Sequence, residues 1–324
     1  MRALRWLLCN PRRVVVALPR LLSDPRRIKM SLRQLLSHPP PVFTARTHAL
    51  VAEPPIQYLL NEISDLKVTV RKLSAALMES QPDRLQTKDS FSYQWEEIKE
   101  GVALLGDAAW ESQMIQQLCT HSDYPEDWFK GKKVLDAGCG NGRWSYVLSE
   151  LGADVMAVDQ SLNGINSVKT LLANHTTFNA QQADILSPLP FSSEFDLVWC
   201  YGVTHHTGYT ELACKNVAAA VKPGGRLFLM IYGEPTKPHE FAEINTYVEH
   251  RRATGRMTFD EKRAYLSERY LEELVHGYFD AVSPEINDRH RWDEVEGWLV
   301  DLGFTRIRRT LDHLNLHLVA DLPR

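Results

Sequence analysis

The stretch Val134-Leu135-Asp136-Ala137-Gly138-Cys139-Gly140-Asn141-Gly142 decides the fold. A short apolar run carries an acid, and glycines follow at every second position. Lys133 to Ala137 has the apolar character of a buried strand. Arg143 to Glu150 carries Trp144, Val147 and Leu148 at helical spacing. Glycines in the turn between them free the backbone for unusual angles and let a ligand sit close to the main chain. The helix start adds unpaired N–H groups and positive dipole character. The spacing excludes two nucleotide-binding patterns. A dinucleotide fingerprint counted from Gly138 and Gly140 needs glycine where Arg143 stands, and a P-loop needs Gly-Lys-Ser/Thr, which is absent.

An ordinary glycine-rich turn would suit these nine residues as well, and the downstream chain separates the two readings. Ala153 to Asp159 reads as a second strand ending in an acid, about twenty residues after the glycines, where a carboxylate can accept both hydroxyls of a ribose. A third acid, Asp184, stands in Gln181-Gln182-Ala183-Asp184-Ile185. Phe195 to Tyr201 reads as a fourth strand, followed by Val203-Thr204-His205-His206-Thr207. Val221 to Met230 reads as a helix end, a turn and a fifth strand.

In this order, the signals resemble the class I S-adenosylmethionine (SAM) methyltransferases, whose motif I is D-x-G-x-G-x-G. The resemblance implies a Rossmann-like, seven-stranded α/β sheet with its last strand antiparallel, and SAM as the methyl donor. It implies that Asp136 lies near the amino acid end of SAM with the glycines lining it, that Asp184 hydrogen-bonds the adenine amino group, and that Ile185 packs on the ring. Ligands of such sheets bind beyond the carboxyl ends of the strands. The candidate cofactor-binding residues are therefore Asp136, Gly138, Cys139, Gly140, Asn141, Gly142, Asp159, Gln160, Asp184, Ile185 and Tyr201.

The chain has 324 residues, 44% hydrophobic and 24% charged, with a formal charge of −4, which points to an ordinary globular protein and not to a nucleic-acid binder. Its five cysteines are scattered without a C-x-x-C pair, so reduced thiols in a cytoplasmic protein are expected and no metal site. No apolar run approaches a membrane span.

Three regions organise the chain: residues 1–48, residues 49–88 and residues 89–324. In the first, Asn10-Pro11-Arg12-Arg13-Val14 recurs fourteen residues later as Asp24-Pro25-Arg26-Arg27-Ile28, each opening with a helix-start signal. Met1 to His48 holds ten Lys or Arg and one acid, Asp24. Leucines on one face and arginines on the other suit a helix lying on an anionic membrane surface through residues 1–41, peripheral to the inner face of a membrane. A solvated basic arm, helices packed on the domain or on a partner, and a mitochondrial transit peptide are the alternatives. In the second region Ile56, Leu59, Ile63, Leu66, Val70, Leu73 and Leu77 alternate three and four apart, which suits either a short coiled coil joining two copies or a helix lying on the domain. Gln81 to Lys88 reads as a polar linker.

Phe91-Ser92-Tyr93-Gln94-Trp95 then resembles the F-x-Y-x-W lead-in of methyltransferases that act on sugars and lipid-linked intermediates, where it folds over the SAM pocket. Residues 233–288 interrupt the regular alternation with charged, helical, aromatic-rich sequence and read as a lid or substrate-recognition insert. A helix from Trp292 to Leu302 and two short strands close the domain as an antiparallel hairpin.

The resemblance implies in-line transfer of a methyl group to a nucleophile on a small-molecule, sugar or lipid-linked acceptor. For an oxygen nucleophile a general base is needed, and histidine suits neutral pH. The candidates are His205 and His206, just after the fourth strand, and His290 in the insert's exit. The G-V-x-H-H-T string recurs in the family across unrelated acceptors, which favours a structural part for at least one of the pair. The competing readings are a SAM-binding scaffold without catalysis, and methylation of RNA or protein. The latter would need a basic face on the catalytic domain, whereas the basic excess lies in the arm.

Overall fold

The computed structural model describes residues 81–98 and 107–324. The repeats of residues 1–48 and the heptad segment lie outside these residues. The first described helix, α1 (Pro82–Glu97), stands where the sequence suggested a linker over 81–88. Its start fits: Pro82 occupies the first turn, where its missing N–H costs nothing. Its interior escapes a hydrophobicity reading because its buried residues are Thr87, Ser90 and Gln94. These dock through hydrogen bonds. Ser90 Oγ bonds Ser283 Oγ at 2.9 Å, Ile286 N donates to Thr87 Oγ1 at 3.0 Å, and Glu285 N donates to Gln86 Oε1 at 2.7 Å.

Helix α2 (Ala108–Ser122) begins at Asp107, whose side chain accepts from Trp110 N. The sheet follows: β1 (Lys133–Ala137), α3 (Arg143–Glu150), β2 (Asp154–Asp159), α4 (Leu162–Leu171), β3 (Phe178–Gln182), β4 (Phe195–Tyr201), α5 (Thr210–Ala218) and β5 (Val221–Ile231). Three insert helices, α6 (Pro238–Thr254), α7 (Phe259–Ser267) and α8 (Glu272–Val282), precede α9 (Trp292–Asp301), β6 (Thr305–Arg309) and β7 (Leu316–Asp321). The strand order is β3-β2-β1-β4-β5-β7-β6, parallel except for β7, which runs antiparallel to both neighbours. β1 is central, with Asp136 opposite Ala157 of β2 and Trp199 of β4.

The Val221–Met230 segment differs from the expected helix end, turn and strand. β5 already pairs at Val221, opposite Phe195, and Lys222–Gly225 bulge before pairing resumes at Arg226, opposite Leu197. Gly224, at φ +81°, donates to Leu322 O in that bulge, so the Pro-Gly-Gly turn sits inside the strand and ties it to the chain end.

Side chains alternate across the sheet as the two-residue strand period requires. Leu135, Val198, Cys200, Leu227 and Leu229 face α5 and α9, packing on Ala213, Val217, Val295 and Leu299. Val134, Leu197, Trp199 and Phe228 face α2 and α3, packing on Leu118, Trp144 and Leu148. Trp199, fully buried, stacks on Phe228 with centroids 4.0 Å apart. Truncating such a ring costs about 3–5 kcal/mol. Both faces of the sheet are thus covered, and the carboxyl ends of the strands are left to form a site. Among the described residues no helix is long and apolar enough to cross a membrane.

Candidate active site

A cavity of about 630 Å³ opens at those carboxyl ends and is roofed by α1 and the insert. Its first half is built from the turns after β1, β2 and β3. After β1, Gly138 N and Cys139 N both donate to Val158 O, at 2.7 and 3.0 Å. Gly138 takes φ +85°, and a Cβ there would stand 2.3 Å from Val203; Gly140 takes φ +55°, and a Cβ would stand 2.8 Å from the Trp95 ring. Conformation and space both demand glycine at these two positions. Gly140 N donates to Asp159 Oδ2 at 2.9 Å and Ser161 N to Asp159 Oδ1 at 2.7 Å. The Asp159 carboxylate is thereby clamped by two backbone donors while each oxygen retains a lone pair. Burial raises its pKa, and the two backbone donors oppose that rise.

Gly138, Cys139, Asn141, Asp159, Gln160, Asp184, Ile185 and Tyr201 line the cavity. Asp136, Gly140 and Gly142 do not. Asp136 lies beneath the loop, 1% exposed, accepting the Ser145 hydroxyl at 2.6 Å. Burial pushes its carboxyl up to about 7. It supports the loop from below instead of lining the pocket, and Gly140 and Gly142 shape the wall without facing the cavity. Asp184 accepts from Leu186 N at 2.9 Å and pairs with Arg84 of α1 at 3.0 Å. Arg84 also lines the cavity, and its Nη1 is buried without a partner.

The second half is built from the ends of β4 and β5 and from the insert. The three candidate histidines part company here. His205 is fully buried and absent from the lining; its Nδ1 faces Tyr232 N at 3.4 Å and its ring stacks on Tyr232 at 3.9 Å. Burial holds its pKa well below the usual value, so it is a neutral packing residue. His290 also lies off the cavity, its Nε2 on Thr210 Oγ1 at 2.9 Å and its Nδ1 on Glu294 at 3.1 Å. It ties α9 to α5, and its geometry gives no reach to a substrate.

His206 lines the cavity. Its Nδ1 lies 2.8 Å from Ile286 O, which can only accept, so Nδ1 carries the proton. In the neutral ring Nε2 then presents a lone pair. It has no hydrogen-bond partner, and Asp280 Oδ2 stands 3.6 Å away. The Tyr232 hydroxyl donates to that same Oδ2 at 2.6 Å. Burial works to raise the Asp280 pKa, but His206 in its protonated form and the Tyr232 hydroxyl outweigh it and hold the carboxyl below its usual range. Phe91 meets the His206 ring edge-on at 4.8 Å.

Residues 135–229, from β1 into β5, match the family described as "Methyltransferase domain". That region, with the strand order around it, has the Rossmann-like seven-stranded sheet that the resemblance implied. Over 104 residues the chain is 38% identical to the ubiquinone biosynthesis O-methyltransferase of Coxiella burnetii, covering 31% of this chain and 43% of that protein. It is 36% identical over 104 residues to the mitochondrial ubiquinone biosynthesis O-methyltransferase of Schizosaccharomyces pombe, covering 31% of this chain and 38% of the relative. The match thus spans less than half the length of these curated relatives. Among solved structures, magnesium protoporphyrin IX methyltransferase from Synechocystis with bound S-adenosylhomocysteine is 18% identical, with a TM-score of 0.42, covering 65% of this chain and 85% of that chain.

The residues of the methyltransferase domain suit SAM on this structure's own terms. A clamped acid with spare lone pairs faces the cavity at Asp159, the buried Ile185 offers an apolar floor, and Arg84 Nη1 offers a donor with no partner. The sequence reading missed Arg84, Tyr232, His276, Asp280 and Arg289, all lining the cavity. Phe91 and Trp95 of the F-x-Y-x-W string line the cavity. Its Tyr93 turns away instead, donating to Asp260 at 2.7 Å and stacking on Phe279. Of the insert aromatics only Tyr247 and Tyr278 reach the cavity. No local signal marks Asp280 or Arg289. A clue to Tyr232 lay in its place one residue past the fifth strand.

Proposed function

We propose that the domain transfers a methyl group from SAM to a hydroxyl oxygen of a small-molecule acceptor, with His206 as the general base. The observations that carry this reading are that His206 lines the cavity, that Ile286 O holds a proton on its Nδ1, and that its Nε2, buried beside Asp280, has no hydrogen-bond partner. The O-methyltransferase names of the relatives support oxygen as the target atom.

When bound, SAM supplies the methyl group as an electrophile on its sulfonium. The chain's residues do the rest. Asp159 accepts the ribose hydroxyls, and Asp184 with Arg84 bounds the adenine end. Trp95 over Gly140 and Phe91 against His206 help exclude water from the space between. His206 Nε2 would take the proton of the acceptor hydroxyl as the methyl carbon exchanges its bond to sulfur for one to that oxygen, leaving S-adenosylhomocysteine. Asp280 is too far from Nε2 for a hydrogen bond in the resting state, at 3.6 Å, yet near enough to stabilise the imidazolium that forms. Tyr232, whose own pKa burial and Asp280 push far up, keeps its proton and stays a donor to that carboxylate.

The test is conversion of SAM to S-adenosylhomocysteine with a pool of hydroxylated metabolites. Product heavier by one methyl group is expected, and SAM binding without any turnover would favour a scaffold role. We also propose that the basic arm of residues 1–41 holds the protein on an anionic membrane surface, supported by its ten basic residues against one acid through His48. Full-length protein should then co-sediment with phosphatidylserine vesicles at low salt, and a protein that ignores them has an arm of another kind.

A further inference from the structure

Three arginines, one on α1 and two on the insert side of the domain, can be compared by what satisfies them. Arg84 pairs with Asp184 at 3.0 Å. Arg251 is spent on structure, with Nη1 donating to Pro284 O at 2.6 Å and Nη2 to Glu285 O at 3.1 Å, so it pins the loop after α8. Arg289 differs. It lines the cavity, donates once, from Nη1 to Gly233 O at 3.0 Å, and forms no ion pair among the described residues. Its guanidinium lies over the Tyr232 ring, 5.0 Å from the centroid. Glu243, the acid nearest in influence, also lines the cavity, but accepts the Tyr247 hydroxyl at 2.8 Å instead of meeting Arg289. Asp280 is taken up by Tyr232 and His206.

A half-buried cation without a counter-charge is costly, and a site keeps one where something offsets it. Burial lowers the Arg289 pKa, which is the mark of that cost. Arginine has five donors in a planar fork suited to the two oxygens of a carboxylate or phosphate, and here the Nε and Nη2 donors make no hydrogen bond. Arg289 and His206 both border Tyr232, His206 edge-on with centroids 5.2 Å apart, so one small molecule can reach both.

We propose that Arg289 is the anchor for an anionic group of the acceptor, a carboxylate or a phosphate, which holds the acceptor hydroxyl at His206 Nε2. This rests on the methyltransferase reading and narrows its substrate class: an acceptor with a negative charge on one side and a free hydroxyl on the other. The guanidinium binds the anion from the lid side of the cavity, which leaves the donor half untouched.

The test uses full-length protein saturated with S-adenosylhomocysteine at constant ionic strength, titrated with inorganic phosphate and separately with benzoate. Melting temperature is the readout, for wild type, Arg289→Lys, Arg289→Met and, as control, the exposed Arg252→Met. At least one anion should raise the melting temperature of wild type and of Arg252→Met. Arg289→Lys should keep part of the shift, and Arg289→Met should weaken the anion tenfold or more. A response to phosphate alone identifies a phosphate ester, and one to benzoate alone a carboxylate. If neither anion binds wild type, or both bind Arg289→Met equally well, the proposal is overturned. Without anion, Arg289→Met should melt near wild type, because it removes an unpaired charge. A fall of more than about 4 °C would make the guanidinium a scaffold element and overturn the proposal too. Failure of wild type to bind S-adenosylhomocysteine would instead refute the methyltransferase reading.

Discussion

In the half of the cavity assigned above to the methyl donor, the two acids stand within a few residues of a strand's carboxyl end and are held by backbone. Asp159 is the last residue of β2 and takes two main-chain donors; Asp184 lies two residues past β3 and takes Leu186 N. In the half assigned above to the acceptor, the groups come from the ends of β4 and β5, from α8 and from the loop before α9, and they are tied to partners far away in sequence: His206 to Ile286 O, Asp280 to Tyr232. The matched family region ends at residue 229, so both acids lie within it and the insert lies wholly outside. A backbone-built half can keep one ligand through many sequence changes. A half assembled from several elements distant in sequence can be rewritten by single substitutions, which is how one fold serves many acceptors.

The sharpest way to break this division is at the base. His206→Gln should lower methyl transfer by about a hundredfold or more, the usual scale of general base catalysis, while SAM affinity stays within twofold. A parallel loss of SAM affinity would place His206 in the donor half. Next in size, Asp159→Asn should weaken SAM by about tenfold or more, since each hydrogen bond to a charged group is worth roughly 1.5–3 kcal/mol. Smaller again, Arg84→Met should weaken SAM several-fold by freeing Asp184 from its ion pair, without changing the acceptor dependence of the rate. An effect confined to the acceptor would move Arg84 across the boundary.

The smallest effect concerns stability. Asp136, pushed from its usual 3.8 up to about 7 by burial, binds its proton more tightly folded than unfolded. The stability this contributes is full below the unfolded pKa and is lost as pH rises through about 7. Asp136→Asn, which cannot titrate, should therefore gain melting temperature relative to wild type between about pH 5 and about pH 8. A difference independent of pH would contradict the buried, protonated carboxyl.

The same division explains what could be read from the sequence. β1 and β4 and the helix after the glycines stand where spacing put them, because strand period and glycine chemistry are local. Asp159, Asp184, Ile185 and Tyr201 were legible because a parallel sheet brings its carboxyl ends together. His206 was legible only as one of a pair: telling it from His205 required knowing that the Thr204–His206 turn points one ring at Tyr232 and the other at the cavity. Helix α1 was hidden because Thr87, Ser90 and Gln94 dock it through hydrogen bonds, which leave no apolar stripe. Asp280 and Arg289 were beyond reach, since each gains meaning only from side chains about fifty or more residues away, Tyr232 above all.

The most direct test of the two-half account is one calorimetric series, S-adenosylhomocysteine titrated into wild type, Asp159→Asn and His206→Gln. The account predicts binding by wild type, an affinity within twofold in His206→Gln, and a loss of about tenfold or more in Asp159→Asn. Equal affinity in all three proteins, or a loss in His206→Gln alone, would contradict it.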